Sequence, residues 1–265
     1  MHLDRHYTDA RLVALYDLEN SDRHDIDFYL ALAREIGAVG AVSEIDVIDE
    51  IDVIDVIDVI DLGCGTGVLA VDLAAQGHGV TGVDPAEAML EIARNRPGGD
   101  RVRWVAGASS DLESDSADLV VMTGHVAQVF LDDGEWAAVL GDIHRALRPG
   151  GRVAFESRNP DAEGWTSWNP VTTFVTSTTP GGDSYDSWLE VTEVRPGLVS
   201  MVGHNVFAAD RVDVAVPSTL RYRSRAELET SLRVAGFTGE ALYGDWSRGP
   251  VTPAAGELIF VARAV

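Results

Sequence analysis

Apolar residues along the chain fall into short runs that alternate with segments of helical spacing. The short runs end in an acid, a glycine or a turn, and they predict buried strands at 59–62, 79–83, 102–105, 119–122 and 152–156. The segments with helical spacing predict helices over 66–76, 85–95 and 132–147. Strands that alternate with helices are typical of an α/β fold with a parallel sheet.

The remaining segments give the chain its organisation. Helical spacing recurs at 10–17, 25–36 and 225–234, and closing strands are predicted at 240–243 and 257–263. From Ser187 to Tyr222 the pattern changes to strands around a turn at Arg195-Pro-Gly197. We therefore divide the chain into a helical N-terminal cap (1–44), a core (45–158), an inserted antiparallel lobe (159–223) and the end of the core (224–265).

The dipeptide Ile-Asp recurs at intervals of three residues between Ile45 and Asp61, mostly as Ile-Asp-Val triplets. Such a period gives neither a strand face nor a helix face, because those structures repeat every 2.0 and about 3.6 residues. Only the final copy fits a buried strand. We therefore predict that residues 45–58 form an acidic insertion that projects into solvent. Pairing as a sheet edge, divalent-cation binding and a slipped register remain open alternatives.

The charge balance excludes several classes of partner. The chain has 265 residues and a formal net charge of −23, and all 20 of its basic residues are arginines. Such a surface repels phosphate backbones and anionic lipids, so neither nucleic acid nor a membrane is an expected partner. No long apolar run or secretory leader is evident, and we expect a cytoplasmic protein that is a monomer or a homodimer.

A glycine-rich loop follows the first predicted core strand. It contains Gly63, Gly65 and Gly67, and Asp84 ends the next strand. The glycines permit a tight turn and a close approach of backbone amides to a ligand. Because neighbouring parallel strands share one crevice at their carboxyl ends, Asp84 is placed to accept the hydroxyls of a ribose. The ligand predicted by this arrangement is a nucleoside.

The segment Asp61-Leu-Gly-Cys-Gly-Thr-Gly67 resembles the first motif of the class I S-adenosylmethionine-dependent methyltransferases. Further motifs follow in that family's order at 82–90, 118–121, 147–151, 235–237 and 257–261. The spacing Gly-x-Gly-x-Gly differs from the dinucleotide fingerprint Gly-x-Gly-x-x-Gly. The resemblance implies a Rossmann-like three-layer sandwich whose seven-stranded sheet is mostly parallel. It also implies S-adenosyl-L-methionine as the cofactor.

The same resemblance implies the residues of the cofactor site. Backbone of the loop holds the methionyl part, Asp61 its ammonium, and Asp84 the ribose, while Ala86 or Met89 supplies an apolar face for adenine. An acid that contacts adenine in many members is replaced here by Ala108, so Ser109, Ser110 or Asp111 are alternatives. The complete set of expected cofactor-binding residues is Asp61, Gly63, Cys64, Gly65, Gly67, Asp84, Pro85, Met89, Ser110, Asp111, Thr123 and Tyr16.

The segment that follows the fourth core strand bears on the acceptor. It reads Met122-Thr-Gly-His-Val126 and lacks the Asn-Pro-Pro-Tyr pattern of amide and nucleobase methyltransferases. It also lacks an aspartate for a catalytic cation, so we expect no metal. His125 is a candidate general base, with a structural role as the alternative, and His204 in the lobe is a second candidate.

These features predict transfer of a methyl group to nitrogen or oxygen of a small-molecule acceptor. The aromatic residues of the lobe are expected to contribute to acceptor specificity. A cofactor-binding regulatory or assembly protein without turnover is one alternative, and an NAD-dependent oxidoreductase is another.

Overall fold

The computed structural model describes residues 4–42 and 56–265. In chain order the strands are β1 (Asp58–Leu62), β2 (Gly79–Asp84), β3 (Arg103–Ala106), β4 (Ala117–Met122), β5 (Leu147–Arg158), β6 (Val175–Thr178), β7 (Ser184–Arg195), β8 (Leu198–Phe207), β9 (Val216–Arg221), β10 (Phe237–Tyr243) and β11 (Glu257–Ala264). The helices are α1 (Ala10–Val13), α2 (Tyr16–Glu19), α3 (His24–Val42), α4 (Val68–Ala75), α5 (Glu87–Asn95), α6 (Asp133–Ala146), α7 (Pro170–Thr173) and α8 (Arg225–Val234).

Seven of these strands form one sheet in the order β3-β2-β1-β4-β5-β11-β10. Strand β11 runs antiparallel to both of its neighbours, whereas the pairs among β1 to β5 are parallel. The parallel strands therefore end at one edge, and the loops that follow β1, β2, β4 and β5 meet there. This architecture confirms the predicted α/β fold.

Helices cover both faces of the seven-stranded sheet. In β1, Ile60 packs on the side of α6 and α8, while Val59 packs on the side of α3 and α4. Both faces are apolar because neither meets solvent, which explains why the core strands read as continuous apolar runs. Burial of these side chains fixes the strand ends, and hence the loops that carry the site.

The lobe is a separate four-stranded antiparallel sheet in the order β6-β7-β8-β9. Its Tyr185 and Phe207 pack in one buried cluster with Leu12 and Leu15 of the N-terminal segment. The Tyr185 hydroxyl also donates a hydrogen bond to Glu19 at 3.1 Å. The N-terminal segment is thus held between the lobe and the large sheet.

Two features of the secondary structure differ from the prediction. The helix expected over 10–17 is divided into α1 and α2, because Val13 packs against Met89 while Leu12 and Leu15 pack against the lobe. One straight amphipathic helix presents a single apolar stripe and does not serve both surfaces. Strand β6 was not predicted, since its Val-Thr-Ser-Thr sequence carries little apolar alternation.

Most of the Ile-Asp repeat lies outside the described residues, and its predicted projection into solvent stays a prediction. The described part begins with Val56, and the last copy lies in β1 as predicted. The limit of the insertion at residue 58 was wrong, because β1 begins at Asp58 and Ile57 is already buried in the core beside Val59. In the described ranges, none of the helices combines the length and hydropathy that crossing a membrane requires.

Candidate active site

The glycine loop connects β1 to α4 at the carboxyl edge of the large sheet. Its three glycines all adopt positive φ angles, at +78° for Gly63, +52° for Gly65 and +76° for Gly67. Gly63 donates its amide hydrogen to the carbonyl of Val83 at 2.8 Å, which ties the loop to the end of β2. The left-handed conformation favours glycine at all three positions.

The surroundings of the three glycines differ. A Cβ atom at Gly63 would lie 2.5 Å from Val126, and one at Gly67 would lie 2.4 Å from the Trp104 ring. A Cβ atom at Gly65 would meet only the Tyr16 ring, at 3.8 Å. Gly63 and Gly67 are therefore required by packing, whereas Gly65 leaves open space on the side covered by Tyr16.

This difference predicts unequal effects of two alanine substitutions. Gly67→Ala should lower the free energy of unfolding by at least about 2 kcal/mol, because backbone strain adds to overlap with Trp104. Gly65→Ala should lower it by only about 1 kcal/mol, which is the strain alone. Thermal unfolding of the two variants measures the difference, and equal destabilisation would show that Gly65 is also packed.

The Asp84 carboxylate lies at the end of β2 and is nearly buried. One oxygen accepts a hydrogen bond from the amide of Gly65 at 2.9 Å, and the other accepts from the amide of Ala86 at 2.8 Å. Each carboxylate oxygen has a second acceptor position, so both oxygens can still receive ligand hydroxyls. Burial raises the pKa of Asp84, and the two backbone donors oppose that rise. The residue both shapes the loop and presents acceptors.

Asp61 is the second-to-last residue of β1, directly before the loop, and it is only 1% exposed. Its Oδ1 atom is buried and has no hydrogen-bond partner within residues 4–42 and 56–265. Burial, followed by the nearby negative charges of Asp84 and Glu156, raises the pKa of Asp61 to about 7. A buried carboxylate oxygen without a donor is costly, so this atom is suited to a ligand that carries a donor or a positive charge.

The N-terminal segment covers the loop. Tyr16 lies beside Gly65 and Gly124, and its ring centroid is 6.3 Å from that of Tyr7. Asp17 next to it accepts a hydrogen bond from the Thr66 hydroxyl at 2.5 Å and also pairs with Arg96. These contacts hold Tyr16 over the open side of the glycine loop, and Tyr16 shields that side from water.

The residues expected near adenine lie in two places, one group after β2 and the other after β3. Ala86 and Met89 are buried in one cluster that also contacts Tyr7 and Tyr16, and Pro85 is half-buried between Asp84 and that cluster. After β3, the Asp111 carboxylate turns back to accept from the Ala108 amide at 2.9 Å.

The two serine hydroxyls in the same turn have different surroundings. The Ser109 hydroxyl donates to Asp142 at 2.8 Å, while Ser110 is exposed. An adenine contact by Ser110 or Asp111 stays a prediction.

His125 follows β4 and belongs to a connected polar network. Its φ angle is +63°, and its backbone amide donates to Glu156 at 2.5 Å. Glu156 is fully buried, which raises its pKa, and it also accepts from the Tyr29 hydroxyl at 2.5 Å. The His125 Nε2 atom lies 3.0 Å from Glu257. The network orients the imidazole and leaves its Nδ1 atom without a protein partner among the described residues.

His204 lies elsewhere, in β8 of the lobe. Its Nδ1 atom is 2.7 Å from Asp213, and its ring stacks on Trp188 with centroids 4.7 Å apart. The described contacts of its ring are with lobe residues and do not join it to the glycine loop or to His125. These contacts favour a structural role for His204 and leave His125 as the candidate base.

The other predicted residues occupy the same edge of the sheet. Thr123 is half-buried directly before Gly124 and His125. Cys64 is buried inside the loop, and burial raises the pKa of its thiol, which keeps the thiol protonated. No group of three or more His, Cys, Asp or Glu side chains in the described part of the chain is arranged to hold a metal ion.

Sequence reasoning missed Tyr29, Glu156 and Glu257. Glu156 could have been recognised from the sequence, since it is an acidic residue at the end of a predicted buried strand. Its burial required donors from elsewhere, and these come from Tyr29 and His125, which are distant in sequence. Nothing in the local pattern pointed to Glu257 as the partner of His125.

Comparison with known proteins shows which proteins this chain resembles. Residues 59–151 match the family model described as a methyltransferase domain. A demethylmenaquinone methyltransferase of Clavibacter sepedonicus is 30% identical over 180 residues, which cover 66% of this chain and 63% of the relative. A cypemycin N-terminal methyltransferase of a Streptomyces species is 34% identical over 100 residues, covering 37% of this chain and 41% of that protein. The chain thus spans less than two thirds of these curated relatives.

Solved structures confirm the fold over nearly the full length. The amino pentose methyltransferase CalS10 from Micromonospora echinaspora, solved with S-adenosylmethionine bound, has a TM-score of 0.67 at 21% identity, covering 95% of this chain and 97% of that one. The sugar N-methyltransferase KedS8 from a Streptoalloteichus species has a TM-score of 0.68 at 18% identity, covering 94% and 92%.

Proposed function

We propose that this chain is a class I S-adenosylmethionine-dependent methyltransferase and that it transfers a methyl group from that cofactor to nitrogen or oxygen of a small-molecule acceptor. The observation that carries the proposal is the pair of buried carboxylates at the ends of β1 and β2. Asp61 has an unpartnered oxygen, and Asp84 is held by two backbone amides with acceptor positions to spare. Between them, Gly65 leaves the backbone open.

These residues fit the cofactor by its chemistry. S-adenosylmethionine carries an ammonium group, two ribose hydroxyls and an apolar adenine ring. Asp61 would hold the ammonium, Asp84 the hydroxyls, and the cluster of Ala86 and Met89 the adenine. Tyr16 would cover the methionyl part, since it already lies across the open side of the loop.

The bound cofactor supplies an activated methyl group on a sulfonium. The protein's own contribution is to hold the acceptor in line with that group, to exclude water and to remove a proton. Tyr7 and Tyr16 exclude water from one side. His125 accepts the proton of the acceptor at its Nδ1 atom, while Glu257 holds the opposite nitrogen and Glu156 fixes the backbone.

Two observations support a small acceptor. The formal net charge of −23 disfavours a nucleic acid. The structures of CalS10 and KedS8 are those of an amino pentose methyltransferase and a sugar N-methyltransferase, and their alignments cover 95% and 94% of this chain. On this basis we favour an amine nitrogen as the methyl acceptor.

Cofactor binding should depend on pH through Asp61. In the ligand-free protein the pKa of Asp61 is raised to about 7, mainly by burial. An ammonium beside the carboxylate favours its charged form and lowers that pKa, so binding releases a proton below pH 7. The affinity for S-adenosylhomocysteine should therefore rise about tenfold per pH unit as the pH approaches 7 from below, and should be flat above it.

Calorimetry in buffers of different ionisation enthalpy measures both the affinity and the proton release. Asp61→Asn is the matched control, because its amide has the same shape and no titration in this range; this variant should bind weakly and without proton release. An affinity that is independent of pH in the unsubstituted protein would contradict the proposed contact.

Turnover is tested with methyl-labelled cofactor and a panel of small amines and hydroxyl compounds. Label in an acceptor supports the proposal. Tight cofactor binding with no labelled product across the panel would favour a regulatory or assembly role instead.

A further inference from the structure

Arg158, at the end of β5, is an arginine without an acid partner among the described residues of a strongly acidic chain. Its guanidinium donates to the Gln128 side-chain oxygen at 2.9 Å and lies over the Trp168 ring, 5.2 Å from the ring centroid. Within residues 4–42 and 56–265, no carboxylate is paired with it. Its cross-strand neighbour is Glu257, but that carboxylate is engaged by His125. The positive charge of Arg158 is therefore held in place and is available to an anionic ligand.

Tyr222 brings a second polar group to the same place. The residue is only 3% exposed, and its hydroxyl has no hydrogen-bond partner of normal geometry in the described part of the chain, although the Gln128 side chain lies beside it. Burial raises the pKa of Tyr222 to about 12, so the hydroxyl remains a donor. A buried donor without an acceptor is costly unless a ligand supplies one.

Arg158 and Tyr222 lie close to the residues that surround the candidate base, His125. The charges of Arg158 and Glu257 both act on the Tyr222 hydroxyl, and that of Arg158 also acts on Tyr7. Trp165 packs edge-on against Tyr222, with centroids 4.7 Å apart. Arg158 and Tyr222 thus flank the region between the lobe and the His125–Glu257 pair.

We propose that Arg158 and Tyr222 form a subsite for an oxyanion, so that the methyl acceptor is an amine that also carries a carboxylate or a phosphate. A guanidinium held by a neighbouring amide offers its remaining N–H groups to two oxygens at once, and the tyrosine hydroxyl adds a third donor. One local cation recognises a single small anion even though the net charge repels polyanions. The subsite would fix one end of the acceptor while its amine lies at His125.

The inference rests on the proposed function, and the experiment separates the two. The protein is first saturated with S-adenosylhomocysteine, and the affinity of this step is recorded for every variant. Three probes are then titrated by calorimetry: glucosamine, glucosamine 1-phosphate and 2-amino-2-deoxyglucuronic acid. They share an amine and differ in the presence and kind of anion.

At least one anionic probe should bind about tenfold or more tightly than glucosamine. Arg158→Gln should abolish that preference, and Tyr222→Phe should reduce it by about threefold to tenfold. Both variants should bind S-adenosylhomocysteine as the unsubstituted protein does. Arg152→Gln is the matched control on the same strand, since Arg152 is paired with Glu240 at 2.6 Å, and it should retain the preference.

The order of the two anionic probes distinguishes a phosphate from a carboxylate. Equal binding of all three probes, binding of neither anionic probe, or a preference that survives Arg158→Gln would overturn the subsite. Failure of the unsubstituted protein to bind S-adenosylhomocysteine would instead overturn the proposed function.

Discussion

Replacing His125 with asparagine should lower kcat for methyl transfer by about 10²- to 10⁴-fold and leave the affinity for S-adenosylhomocysteine within about twofold. The imidazole is the proton acceptor in the proposed reaction, and an amide does not replace its basicity. Asparagine is the chosen substitute because His125 has a φ angle of +63°, which asparagine adopts more readily than alanine. Single-turnover kinetics with labelled cofactor measures the effect.

Two further variants test this assignment. His204→Asn should keep the rate of the unsubstituted protein, because the described contacts of His204 are with the lobe residues Asp213, Glu190 and Trp188. Glu257→Gln should lower kcat by less than His125→Asn does, since the amide keeps an acceptor for the Nε2–H group of His125 but removes the charge beside the ring. A small effect of His125→Asn, or a large effect of His204→Asn, would show that His125 is structural.

The substitution Asp84→Ala should weaken S-adenosylhomocysteine binding by about 10²-fold. It removes the proposed ribose acceptor, and it also leaves the amides of Gly65 and Ala86 without their present acceptors. The two losses together correspond to about 3 kcal/mol. Calorimetry measures the change in affinity, and thermal unfolding reports the accompanying loss of stability.

The control for this variant is Asp118→Ala. Asp118 also accepts from a backbone amide, that of Asp58, and pairs with Arg148, but it lies at the beginning of β4, away from the glycine loop. Asp118→Ala should lower the stability of the protein without changing its affinity for S-adenosylhomocysteine. Equal affinity of Asp84→Ala and the unsubstituted protein would exclude Asp84 from the cofactor site.

The parts that sequence reasoning predicted are those with local causes. Glycine spacing after an apolar strand, followed by an acid after the next strand, depends on short segments whose geometry is set by β1 and β2 alone. Strand pairing then brings Gly65 and Asp84 together, as the 2.9 Å hydrogen bond between them shows. The left-handed conformations of Gly63, Gly65 and Gly67 likewise agree with what glycine permits.

The parts that it missed depend on contacts between distant segments. Tyr29 and Glu156 belong to α3 and β5, and neither segment's own pattern indicates the other. The division between α1 and α2 arises because the chain packs on the lobe and on α5 within a few residues. Arg158 and Tyr222 are informative only through the partners that they lack, which a sequence pattern does not reveal.

The most direct test of the proposed cofactor site is a crystal structure of the protein with S-adenosylhomocysteine. We expect the ribose hydroxyls to lie about 3 Å from the Asp84 carboxylate and the amino group to lie at Asp61. The sulfur should face the side of Gly124 and His125, beneath Tyr16. A nucleoside bound without contact to Asp84, or bound in another part of the molecule, would contradict the proposed site.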